Sequence, residues 1–299
     1  MKKYQIYQVD SFTREKFSGN PAGVVINADG LSDGEMQKIA REMNNSETAF
    51  IFSPSAGDHD IEVRFFTPSC EVPICGHATI AAHYVLAKVS NAPSRILMQK
   101  TKAGKHAVEV IKEDGDYRIV MLQGAISFEE ITPSHQQEII KALGISNFEY
   151  DEKFPIEIAS TGHSKVMIGI KSKSLLDLLK PDLVALSNLS KKINCNGYYV
   201  FTFDSDDKEI LVHGRMFAPA IGINEDPVTG NANGPLGAYL LKNNLVKNGS
   251  DKFCFKAQQG EAIGRKGVVE VEVAIKNQLP SQVKITGNAV IVFKADLAL

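Results

Sequence analysis

The pattern of apolar and polar positions changes period repeatedly along the first hundred residues. Tyr4 to Val9 and Ala22 to Ile26 read as strands. Ser32, followed three residues later by Glu35, is a capping-box signature that opens a helix. Met36, Ile39, Ala40 and Met43 then fall on one face at helical spacing. Thr48 to Phe52 and Ile61 to Phe66 predict strands again. Ala78 to Leu86 is almost wholly apolar, broken by Thr79 and His83. A helix apolar on every side belongs at the centre of a domain. His83 within it reads as a satisfied core histidine.

The second half runs similarly. A strand is expected at Arg118 to Leu122, then a helix capped at Ser134 with Gln137 three residues on. Val166 to Ile170, Tyr198 to Phe203 and Ile210 to Val212 read as strands, with a Leu-rich helical stretch starting at Ser174. Pro235 to Leu241 predicts a second apolar helix, and Val268 to Ile275 and Val283 to Phe293 alternate as strands do. No low-complexity linker separates the halves. Two segments match across them: Arg64-Phe65-Phe66-Thr67-Pro68 running to Cys75, and Arg215-Met216-Phe217-Ala218-Pro219 running to Asp226. Each then leads through small residues into an apolar helix. The match predicts two pseudo-symmetric domains, in which Cys75 and Asp226 occupy equivalent positions at helix N-termini. Arg64 and Arg215 read as structural ion-pair partners near the domain interface, or as groups that attract an anionic substrate.

At 299 residues the chain is long enough for two domains. Lys and Arg number 33 against 35 Asp and Glu, a net charge of −2. That balance gives no electrostatic reason to expect nucleic acid or an anionic membrane as partner. No apolar run approaches the roughly 18 residues that a spanning helix needs, and the start does not read as a signal peptide. The expected partner is therefore a small molecule, in the cytoplasm. Asn44-Asn45-Ser46, Asn188-Leu189-Ser190 and Asn248-Gly249-Ser250 match the glycosylation pattern, which is empty without secretion. None of Cys70, Cys75, Cys195 and Cys254 forms a Cys-x-x-Cys pair, and no His spacing suggests zinc. Cys254, between Phe253 and Phe255, reads as a buried, inert thiol on a strand. Neither a Gly-x-Gly-x-x-Gly pattern nor a P-loop is present, which argues against a nucleotide-dependent enzyme.

Cys75 has the more telling setting. Helix N-termini carry unpaired N–H groups and partial positive charge, so they hold carboxylates and favour a thiolate. Gly76-His77 on one side and Thr229-Gly230-Asn231 on the other are candidate donors. An acid/base group on each wall of a cleft, with a carboxylate clamped between, is machinery for moving a proton.

At these residues the chain resembles the PhzF family, within the diaminopimelate epimerase-like superfamily. The matching stretches are Asp10-Ser11-Phe12, Gly19-Asn20-Pro21-Ala22, Asn45-Ser46-Glu47-Thr48-Ala49-Phe50, Cys75-Gly76-His77-Ala78-Thr79, Glu225-Asp226-Pro227-Val228-Thr229-Gly230 and Gln259-Gly260, together with both Arg-Phe-Pro segments. The resemblance implies an α+β fold of two similar domains, each a mixed sheet curled around a central helix. The first would span 1–117, completed by a returning C-terminal strand at about 283–299, and the second 118–282. It also implies an isomerase without metal or pyridoxal phosphate, commonly a homodimer, acting on a carboxylate-bearing metabolite in the interdomain cleft. By the same resemblance Glu47 is the general acid/base, and Cys75, His77 and Asp226 line the site. Asn20, Ser46, Gly76, Thr229, Gly230 and Asn231 are its candidate substrate contacts. Two departures stand out: Cys75 precedes Gly-His where the family's phenazine enzyme has no cysteine, and Asn231 stands where that enzyme has Ser. They keep open a racemase or epimerase run by Cys75 and Asp226, and a binding module that has lost its chemistry.

Overall fold

The computed structural model describes residues 2–146, 148–247 and 251–299; the third glycosylation-pattern triplet, at 248–250, lies outside the described residues. The chain forms two units, Met1–Leu122 with Thr286–Leu299 and Gln123–Ile285.

The first unit contains β1 (Lys3–Ser11), β2 (Asn20–Ile26), α1 (Asp33–Met43), β3 (Glu47–Phe52), β4 (Ile61–Phe66), β5 (Glu71–Val72), α2 (Gly76–Ser90), β6 (Arg95–Thr101), β7 (Gly104–Glu113) and β8 (Asp116–Leu122). The Ser32 capping box forms as the sequence predicts, with Glu35 reaching back to the Ser32 backbone. Met36, Ile39 and Ala40 of α1 bury against Ile6, Val25, Phe50 and Phe66 on one face of the sheet. On the other face lies α2, against β1, β2, β3, β7 and β8. Its Ala78, Ile80, Ala81, Ala82 and Val85 are fully buried, and the alanines let strands approach from several sides.

The second unit contains β9 (Ser127–Glu130), α3 (Pro133–Ala142), β10 (Glu157–Ser160), β11 (Ser164–Gly169), α4 (Lys173–Leu178), α5 (Leu183–Ile193), β12 (Tyr198–Thr202), β13 (Val212–Ala218), β14 (Ile223–Asp226), α6 (Gly230–Lys242), β15 (Lys252–Gln259) and β16 (Gly267–Lys276). The chain ends in β17 (Leu279–Gly287) and β18 (Ala289–Ala298), and β18 pairs antiparallel with β1. Helix α6 is buried along nearly its whole length, against β10, β11, β15 and β16.

Pairing directions show the duplication. From β18 through β1, β2, β3, β4, β6 and β7, neighbours are antiparallel, antiparallel, parallel, antiparallel, parallel and antiparallel. From β9 through β10, β11, β12, β13, β15 and β16, the same series recurs. The Arg-Phe-Pro repeat occupies β4 and β13. Arg64 and Arg215 each sit fourth in their strand, over the ring of Phe66 and of Phe217. Each pairs with a glutamate of the following short strand, Arg64 with Glu71 and Arg215 with Glu225.

Three local expectations are corrected. Helix α3 is capped by Thr132, not Ser134: the Thr132 hydroxyl accepts from the His135 N–H, and Pro133 fills the first helical position, where its missing N–H costs nothing. The Leu-rich stretch is two helices, α4 and α5, because Pro181 interrupts it and Asp182 caps a new start. Cys254 is exposed: alternation along β15 sends Phe255 inward and turns the thiol outward.

His83 is a core histidine. Its Nε2 lies 2.9 Å from Gln99 Oε1, and burial holds the imidazole down at about 4, the Gln99 hydrogen bond acting the other way. Between about pH 6.5 and 4 the unfolded chain therefore binds a proton at His83 that the folded chain refuses. Stability falls with pH across that window. His83→Gln should flatten this part of the stability profile, measured by urea titrations at several pH values. Among the described residues, no helix is long and apolar enough to cross a membrane.

Candidate active site

Two local arrangements gather the residues that the sequence singles out, one in each unit. In the first, the parallel β2–β3 pair sets Ala22 opposite Glu47, so Asn20 and Glu47 both lie at the leading ends of adjacent strands. Glu47 is the first residue of β3, and its side chain is 14% exposed. Cys75 is the N-cap of α2, with an extended backbone and no side-chain capping bond, so its thiol is left for other contacts. Gly76 opens the helix and borders open space where a side chain would otherwise stand.

His77 joins these groups. Its ring is buried, and the Ser11 hydroxyl donates to its backbone carbonyl at 2.8 Å. Cys75 Sγ lies 3.4 Å from Nδ1. On the other nitrogen, Nε2 lies 3.2 Å from Ser46 Oγ and 3.4 Å from Glu47 Oε2. Oxygen, sulfur and nitrogen donors of Glu47, Cys75 and His77 all fall within 4.8 Å of one another. The thiol and the carboxylate nevertheless meet opposite edges of one imidazole, so a single ion could take only one of the two contacts with the ring. The arrangement suits passage of a proton between neighbours better than chelation.

In the second unit the expected equivalence shifts by three residues. The N-cap of α6, matching Cys75, is Thr229; Asp226 ends β14, with Pro227 and Val228 between them. The Thr229 hydroxyl donates to the buried Asp226 carboxylate. Gly230 is buried at the first helical position. Asn231 follows, partly exposed, and among the described residues its buried Oδ1 accepts no hydrogen bond. A buried acceptor without a donor is a natural contact for a ligand N–H or O–H.

Gln259, of the Gln-Gly pair, has no role that its sequence neighbours disclose. Its side chain is almost fully buried and makes four bonds: Oε1 accepts from the Thr229 N–H at 3.1 Å and from Asn233 Nδ2 at 3.2 Å, while Nε2 donates to the Asp226 carbonyl at 2.7 Å and to Thr229 Oγ1 at 3.1 Å. The amide thus braces the turn from Asp226 into α6. Gly260 beside it has φ +87°, and a Cβ there would stand 2.3 Å from the Arg265 carbonyl, so the bend needs glycine. Gln259→Leu leaves buried donors unpaired and should cost about 3 kcal/mol, read from the urea midpoint. Full stability in that variant would refute the bracing role.

A family model described as phenazine biosynthesis-like protein, PhzC-PhzF, matches residues 9–295. The chain is 60% identical to an uncharacterized isomerase of Clostridium acetobutylicum, over 100% of this chain and 99% of that one. It is 33% identical to the trans-2,3-dihydro-3-hydroxyanthranilate isomerase of Pseudomonas fluorescens, covering 94% of this chain and 95% of that relative. The crystal structure of a PhzF-family protein from Bacillus anthracis superposes with a TM-score of 0.91 at 31% identity, covering 100% of both chains. Similarity along nearly the whole chain to relatives named as isomerases makes the chain an isomerase. It belongs to the phenazine biosynthesis-like family, PhzC-PhzF.

Proposed function

We propose that the protein shifts a proton on a small carboxylate-bearing metabolite with its own side chains, Glu47 serving as general acid/base. The observation that carries this reading is the Glu47–His77–Cys75 constellation: a half-sheltered carboxylate 3.4 Å from an imidazole nitrogen whose ring meets a thiol on its far edge. A carboxylate takes the proton from carbon, and the imidazole and Ser46 stabilise the charge that moves. The similarity to an isomerase of a dihydro-hydroxyanthranilate, itself a carboxylate, supports the substrate class.

The test is a mass-spectrometric screen for deuterium uptake from heavy water into a set of amino, hydroxy and cyclic carboxylic acids, comparing wild type with Glu47→Gln and Cys75→Ser. Uptake that disappears in Glu47→Gln and persists in Cys75→Ser supports Glu47 as the base. The contact between the Cys75 thiol and His77 favours one rival, in which Cys75 is the base; the opposite pattern of loss would establish it. Absence of exchange from every compound would overturn the reading of a proton shift on a small carboxylic acid.

A further inference from the structure

Lys165 is a buried cation that the chemistry above does not use. It is the second residue of β11, 7% exposed, and its Nζ donates to the Ser164 carbonyl at 3.1 Å. Among the described residues, no carboxylate lies within ion-pair distance of it. Arg215, also buried, does sit on a carboxylate, that of Glu225. An ammonium held out of water on one neutral acceptor is costly unless an anion completes its shell.

The duplication shows where this lysine stands. In the first unit the parallel pair sets the third residue of β2, Ala22, opposite the first of β3, Glu47. In the second unit it sets the third residue of β11, Val166, opposite the first of β12, Tyr198. Lys165 therefore corresponds to Pro21, and Gly197 to Ser46. The Lys165 stem lies across Gly197 so closely that a Cβ there would sit 2.2 Å from its Cδ. The missing side chain at 197 is what admits the lysine. One unit opens its parallel strands with Ser46 and Glu47, the other with Gly197 and a buried ammonium. Burial pushes the Lys165 amine down from its ordinary range, while Cys195 and Asp226 act the other way, as a bound carboxylate would.

We propose that Lys165 in its ammonium form binds the carboxylate of a small organic acid held by the second unit. The inference rests on the reading of the substrate as a carboxylic acid. Its test is kept separate from turnover: 3-hydroxyanthranilate and its methyl ester are titrated into the full-length protein, and binding is followed by ligand fluorescence. Wild type should bind the acid at least about tenfold more tightly than the ester. Lys165→Met should lose that preference with ester binding unchanged, whereas Glu47→Gln should keep it. Lys165→Gln is measured alongside, so that a folding defect in either variant does not decide the outcome. Retention of the acid preference without the lysine overturns the proposal and leaves the isomerase reading intact. Equal binding of acid and ester by wild type, or binding of neither, also overturns it. Failure of the isomerase reading would register instead as missing deuterium exchange.

Discussion

Glu47→Gln should leave the protein folded and lower turnover by about 10²–10⁴-fold, the range for a positioned acid/base group. Gln keeps the shape of the side chain and one carbonyl acceptor. It cannot take a proton at neutral pH, so the chemical step loses its base while substrate contacts survive. The loss should therefore fall on kcat, with KM changed little. Cys75→Ser should cost much less, because serine still offers a polar atom to His77 Nδ1 and the Glu47 contact at Nε2 is untouched. Steady-state kinetics on the acid that takes up deuterium would decide. A Glu47→Gln enzyme within a few-fold of wild type would end the case for Glu47.

Local rules and long-range placement differed in how far they could be read from the chain. The Ser32 capping box and the two apolar helices were legible because each signal lies within a few residues. The Arg-Phe-Pro repeat disclosed the duplication, since ion pairing and ring packing repeat those residue types at fixed spacing. Within the first unit, motif residues from β3 and the start of α2 do converge on His77. What the repeat could not register was the three-residue offset that makes Thr229, and not Asp226, the cap of α6. Counting from the arginine aligns sequence, while a helix start depends on where backbone N–H groups run out of partners. Thr132 displaced Ser134 as a cap for a related reason: Pro133 suits the first helical position, so the cap precedes it. Gln259 and Lys165 escaped because their meaning depends on neighbours about 30 residues away, Thr229 and Gly197.

The duplicated arginines lead to the largest expected effect on stability. Arg215 and Glu225 are both sheltered, with side chains 9% and 11% exposed, and form a two-pronged pair at 2.9 and 2.7 Å. The second terminal nitrogen of Arg215 also donates to the carbonyls of Leu176 and Leu179, at 2.8 and 3.0 Å, tying the end of α4 to β13. Arg215→Met removes that cation and leaves both a shielded carboxylate and buried carbonyls without their donor. The expected loss is about 3–5 kcal/mol, the range for breaking a buried pair from one side. Arg64→Met, the same change in the other copy, should cost about 1 kcal/mol or less. There the arginine is 27% exposed, and Lys102 still holds Glu71 at 2.5 Å. Arg215→Met with Glu225→Met should recover much of the single-variant loss, since no uncompensated charge stays behind. Urea denaturation of the four proteins measures each step. Equal losses in Arg215→Met and Arg64→Met would show that shelter of the ion pair does not set its weight, and would remove the physical distinction drawn between the two copies.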